Sequence, residues 1–145
     1  MFSRYVRDRV GPIKRGQVAY PPPVRPPSAT LQSSEAIAAG DLVNIYTSGG
    51  QTRARKANAS DMSKPANAFA PKAVGNGEAG LFHFVGQIIS DLSGLTPGTS
   101  YYLDTTGGGL TATPPSIEGQ GVQLVGVALS ATSFLFSPQP MVEFN

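Results

Sequence analysis

Between Gly94 and Pro115 the chain places a turn signal at each end of a short strand pair, which leaves no room there for a long element. Pro97 brings the fixed φ that suits the second position of a tight turn, and Gly98 accepts the positive φ of the third. Thr96 to Thr99 therefore predicts a type II turn. Ser100-Tyr-Tyr-Leu-Asp104 is rich in β-favouring residues, Gly107 to Gly109 supply a reversal, and Leu110-Thr-Ala-Thr113 returns alongside until Pro114-Pro115 ends the pairing. Seventeen glycines, thirteen prolines and only 14% charged residues in 145 positions extend this punctuation to the whole chain. The expected class is all-β: a compact β-sandwich or barrel of about eight short strands with an extended Pro-rich N-terminal arm.

The arm is set apart by composition. Residues 1–27 hold six of the thirteen prolines and six of the eleven basic residues against one acid, Asp8, a formal +5; residues 28–145 carry −3. Such asymmetry marks an interaction tail. Tyr20-Pro-Pro-Pro-Val-Arg-Pro-Pro27 predicts extended polyproline II, a spacer that lacks donors for a sheet. Apolar residues are interleaved with the charges, as in a segment that orders on a partner. The expected contact residues are Phe2, Arg4, Tyr5, Arg7, Arg9, Ile13, Lys14, Arg15, Tyr20 and Arg25.

The body, 28–145, opens with Leu31 to Ala39, expected to offer a helical turn that Gly40 stops. Asp41 to Thr47 alternates as a strand, Ser48-Gly-Gly-Gln51 turns, and Thr52 to Ala57 returns with Arg53 and Arg55 on one face. That face reads as a protected edge strand, with a second partner patch as the alternative. Asn58 to Asn67 reads as a loop. Ala68 to Val74 reads as an edge strand because Pro71 cannot donate to a central ladder. Leu81 to Ile89 is the most apolar strand; alternation puts Phe82, Phe84 and Ile88 on one face, and Gly86 marks a bulge. Val122 to Leu129, Ser133 to Ser137 and Met141 to Phe144 complete the set. The expected core is Phe82, Phe84, Ile88, Tyr102, Leu124, Val127, Phe134 and Phe136.

Little in the chain points to catalysis. With no cysteine there is no thiol nucleophile, thiolate site or disulfide, and His83 is the single histidine, flanked by phenylalanines. Asp91 and Asp104 flank the central hairpin, where acids ordinarily bond backbone amides. The triple glycine lacks the Lys-Ser/Thr and helix start of a phosphate loop. The expectation is a protein that is not an enzyme and has no catalytic residue, metal or cofactor.

Gly94-Leu-Thr-Pro-Gly98, Tyr101-Tyr-Leu103, the glycine reversal into Leu110-Thr111, Pro114-Pro115 and Gly121-Val-Gln-Leu-Val-Gly-Val-Ala-Leu-Ser130 together resemble small β-structural virion proteins of tailed bacteriophages, with capsid decoration (cement) proteins first among them. The resemblance covers roughly Ala36 to Pro138 and extends to phage tail and fibre proteins. It implies a place on the capsid surface after assembly in the host cytoplasm, with the major capsid protein as partner and the arm clamping neighbouring subunits. Low charge and apolar strand faces add neighbouring copies of the chain itself, as dimer or trimer. The alternative is a tail or fibre structural protein that binds host-surface glycans through exposed Tyr101, Tyr102 and Thr-rich turns. Neither a membrane nor nucleic acid is an expected partner, since the acidic body does not continue the arm's positive field.

A chain truncated to 28–145 holds every expected strand and should be soluble and unfold cooperatively. A molten or aggregated product in a thermal melt followed by near-UV circular dichroism would place the arm inside the core.

Overall fold

The computed structural model describes residues 27–145. Twelve short strands form, and no helix occurs among the described residues. They are β1 (Ser28–Ser33), β2 (Leu42–Ser48), β3 (Gln51–Lys56), β4 (Ala68–Phe69), β5 (Ala79–His83), β6 (Ile88–Ile89), β7 (Ser100–Leu103), β8 (Leu110–Thr111), β9 (Gly121–Val122), β10 (Leu124–Ala128), β11 (Phe134–Phe136) and β12 (Val142–Glu143). The first five close a barrel in the order β1-β3-β2-β4-β5; a five-stranded sheet follows in the order β6-β11-β10-β7-β8, and β12 pairs with β9. The expected all-β barrel class is what the chain adopts.

The expected turns are in place. Thr99 N donates to Thr96 O at 3.1 Å with Gly98 at φ 78°, and the glycine reversal returns β8 against β7 with Tyr102 opposite Thr111. β2 and β3 form the expected hairpin, six residue pairs from Val43 opposite Lys56 to Ser48 opposite Gln51.

The strand count exceeds the expected eight in part because two apolar runs change sheets in their middle, and in part because β1 forms where no strand was expected. Leu81 to Ile89 is not one bulged strand: Val85 and Gly86 turn, so β5 stays in the barrel while β6 joins the second sheet. Val122 to Leu129 divides at Gln123, with β9 on β12 and β10 on β7. The bulge of the fold lies instead at Gly126, where the register between β10 and β7 shifts. Gly126 has φ 147°, and a Cβ there would meet Leu135 O at 2.0 Å, so only glycine lets β10 lie this close to β11.

Three further expectations are corrected. Leu31 to Ala39 makes no helical turn: Leu31 to Ser33 lie in β1, which pairs antiparallel with β5 and parallel with β3. β3 is accordingly no edge strand, since β1 and β2 flank it. β4 stops at Phe69, before Pro71.

The apolar residues divide into two clusters. Val43, Ala54, Ala68 and Phe82 fill the barrel with Ile37, Ala70 and Val74. Leu42, Phe69, Ile89, Tyr101, Leu103, Val125, Phe134 and Phe136 pack between the barrel and the second sheet. Successive residues of one strand thus serve both: Val43 and Ala68 point into the barrel, Leu42 and Phe69 out of it. Of the expected core, Phe82, Phe134 and Phe136 are fully buried; Phe84, Tyr102, Leu124 and Val127 are only half-buried and Ile88 is exposed. Their neighbours Tyr101, Val125 and Ile89 take the inward places.

Phe134→Ala should cost about 3–5 kcal/mol in urea denaturation, since the ring is fully buried against Tyr101. Phe84→Ala should cost clearly less, because its side chain sits half in water. Equal losses at the two would mean that Phe84 is covered in solution.

Candidate interaction surfaces

The arm joins the body at a defined place. The Pro27 carbonyl accepts hydrogen bonds from Phe84 N at 3.0 Å and from the Gln87 side-chain amide, both in the link between β5 and β6. Pro27 is thereby held at the seam between the barrel and the second sheet. The ten expected contact residues, Phe2 to Arg25, all lie outside the described residues. Beside this seam Phe84 and Val85 line a crevice with Pro65, Gln123, Pro138 and Met141.

The barrel and the second sheet are stitched across the seam by main-chain and side-chain bonds. Gly108 N donates to Ala57 O at 2.7 Å, and Gly108 O accepts from Leu42 N at 2.9 Å. At φ 77°, with Asp41 Cγ only 2.7 Å from where a Cβ would stand, this position has room for glycine alone. The buried Gln123 amide accepts from Ala66 N at 2.8 Å and donates to Ala66 O and Gln139 O at 3.0 and 2.8 Å. The triple glycine thus serves the architecture.

The charged face of β3 is already engaged within the chain. Arg55 donates from Nε to Asn44 Oδ1 at 2.8 Å and from Nη2 to Ser63 O at 3.0 Å, with its guanidinium 4.0 Å from the centre of the Tyr46 ring. Arg53 donates to the side-chain oxygens of Gln32 and Gln51 at 2.9 and 3.1 Å. These contacts, and not edge protection, account for both arginines.

Residues expected to stand apart from catalysis have structural surroundings. His83 packs edge-on against Phe69, ring centres 5.5 Å apart. Asp104 Oδ1 accepts from Thr105 N at 2.7 Å, the backbone bond expected of an acid beside a turn. Asp91 holds a left-handed φ of 63° on the surface and lines, with Asp41, Leu92, Leu95 and Leu110, a hollow over the seam that Asp104 does not share. Among the described residues no His, Cys, Asp or Glu cluster has the form of a metal site.

One residue of the alternative glycan platform is not exposed. Tyr101 is 7% exposed and its hydroxyl accepts from Thr96 N at 2.9 Å, which holds the turn onto the strand; Tyr102 alone points outward. What sequence reasoning missed is the outer face of the second sheet, where Ile88, Leu135 and Val127 stand side by side across three strands. The signal was an unbroken absence of charge in the strands that form it.

No protein-family model matches this chain, and no curated protein matches it either. Among solved structures, it is similar to the head fiber gp8.5 N base of bacteriophage phi29, with a TM-score of 0.52 at 12% identity over 81% of this chain and 92% of that one. At that identity the likeness is one of fold.

Asp41 supplies a pH test of the seam. Burial pushes its carboxyl above the ordinary carboxylate value, against the hydrogen bond from Ala38 N and the nearby Lys56, which pull it down. The folded state therefore holds this proton more tightly than the unfolded chain. Its share of stability should rise as pH falls from neutral through the raised value, then level off below the ordinary one. Asp41→Asn keeps an oxygen for Ala38 and should flatten that rise in urea titrations at pH 7 and pH 5; an unchanged slope would assign the effect to other groups.

Proposed function

We propose that this chain is a virion structural protein of a tailed bacteriophage, a decoration protein that binds the outer surface of the major capsid protein shell and stabilises the head. The observation that supports a virion structural role is the fold shared with a head fiber base over most of both chains. In support, the chain joins a strand-built body to a +5 segment with interspersed apolar residues, Asp41 and Asp104 accept backbone hydrogen bonds, and His83 packs against Phe69. The function requires no chemistry and no cofactor.

In this reading the arm is the main attachment. Arg4, Arg7, Arg9, Lys14 and Arg15 pair with acidic groups of the shell, for which the planar guanidinium fork is suited, while Phe2, Tyr5 and Ile13 fill shallow pockets between subunits. Exposed ion pairs contribute only about 0–1 kcal/mol each, so the apolar anchors and the many copies on one shell supply much of the hold. The alternative is a fibre structural protein; glycan binding through Tyr101 has less support, since that ring is inside the core.

The test adds full-length and 28–145 protein to undecorated heads and measures occupancy by sedimentation. Full-length protein should bind, charge-reversed arms should bind more weakly, and the truncated chain should lose most binding while remaining folded. Equal occupancy by full-length and truncated protein would move attachment to the body.

A further inference from the structure

The crevice beside the seam has a volume of about 480 Å³ and is walled by Pro65, Phe84, Pro138, Pro140 and Met141, with Val85, 54% exposed, among its lining residues. Among the described residues no charged side chain lines it. Its side-chain amides offer donors. Asn67 spends its Oδ1 on Ile45 N and Asn44 Nδ2, at 2.8 and 3.1 Å, so what it has left to offer is the donor Nδ2. Gln139, exposed on the same wall, adds a second side-chain amide. The described chain begins at this crevice, because the Pro27 carbonyl accepts from Phe84 N at 3.0 Å. β1 runs antiparallel to β5 with Ser28 opposite His83, so its line, followed back through Pro27, passes alongside Val85.

We propose that this crevice is the docking site for the segment of the same chain that precedes it, Pro21-Pro-Pro-Val-Arg-Pro26. The segment is tethered at the crevice wall. At about 3.1 Å per residue Val24 lies within about 9 Å of Pro27, so the segment meets the crevice at an effective concentration that no free partner shares. Its pattern fits an uncharged wall. With three residues per polyproline II turn, Pro21 and Val24 form one ridge and Pro23 and Pro26 a second, while the single charge, Arg25, falls with Pro22 on the third and stays in water. Hydrogen bonding is complementary as well. Four of the six residues are prolines, which accept and do not donate, and the Asn67 and Gln139 amides supply donors. The stiffness of such a segment lowers the entropy lost when it docks. Docking would present the basic stretch from Arg4 to Arg15 from one fixed place on the body. The inference deepens the proposed function and rests on it only for the use of that stretch at a shell. Docking itself is read on the isolated chain, so its failure and a failure to bind heads are separate results.

The experiment is NMR on the full chain labelled at its methionine and valine methyl groups. Of the three methionines, Met1, Met62 and Met141, Met141 lines the crevice and Met62 does not. The Met141 methyl should show nuclear Overhauser contacts to the Val24 methyls, unchanged on dilution of the protein. Val85→Asp, at an exposed position, should abolish those contacts without moving the thermal melt, since docking would then bury an unpaired charge. Val24→Asp should shift the Met141 methyl resonance and leave that of Met62 in place. Ile13→Asp, in the distal stretch, should move neither. The wild-type contacts and the Val24→Asp shift decide the matter even if Val85→Asp fails to fold. Absence of Met141–Val24 contacts in the wild-type chain, or a Met141 resonance that Val24→Asp leaves unmoved, would overturn the proposal. So would contacts that appear only as the protein is concentrated, which would give the crevice to the segment of a second copy.

Discussion

The Gln123 carboxamide, 2% exposed, behaves as a peptide unit in the middle of the body: its oxygen accepts from Ala66 N, and its nitrogen spends both donors on Ala66 O and Gln139 O. Three distant segments are thereby held together: the loop after β3, the start of the second sheet and the C-terminal stretch. The Ala66 N–H and carbonyl would otherwise be buried unpaired, at about 1–3 kcal/mol apiece. The main chain of Gln123 is engaged too, its carbonyl accepting from Leu103 N at 2.9 Å. Together with both Gly108 bonds, these contacts join the barrel and the sheet. The aromatic core between them, with Phe69 edge-on to Phe136 at 5.4 Å, can pack only because these polar stitches fix its walls.

The same residue explains why sequence reading went wrong where it did. Turn chemistry is local, so Pro97-Gly98 and the glycine reversal were legible from the residues themselves. Alternation is local as well, but it fixes faces only while a strand continues. Gln123 and the Val85-Gly86 turn each interrupt a run that reads as continuous, and beyond them the parity is reset. Ile89 goes inward in place of Ile88, and Val125 in place of Leu124. β1 was missed for another reason. Ser28-Ala-Thr-Leu-Gln-Ser33 carries little apolar periodicity, and its strand character comes from partners at Arg53 and His83, far along the chain.

Charge is distributed by region, and the regions differ in the forces available to them. The N-terminal 27 residues carry +5, the barrel strand β3 carries three basic side chains, and the second sheet carries none. Contacts made through the first respond to ionic strength; contacts made through the last respond to apolar area and temperature. The expected binding residues were chosen for charge and aromaticity. The individual strands were legible as uncharged runs, but not as one face, because the pairing that gathers Ile88, Val127 and Leu135 into one row joins Ile88 to Leu135, 47 residues on.

The placement of β1 has a mechanical consequence. Tension entering the body at Pro27 is delivered along the axis of a strand clamped on both flanks, antiparallel to β5 over five residue pairs and parallel to β3 over two. Its hydrogen bonds lie across the direction of pull, so they bear the load jointly and do not unzip in succession from an end. Resistance to such a pull is governed by an unfolding rate and not by equilibrium stability. A domain tethered by its N-terminus to something that swells or shears would thus be gripped at the strand best arranged to bear it.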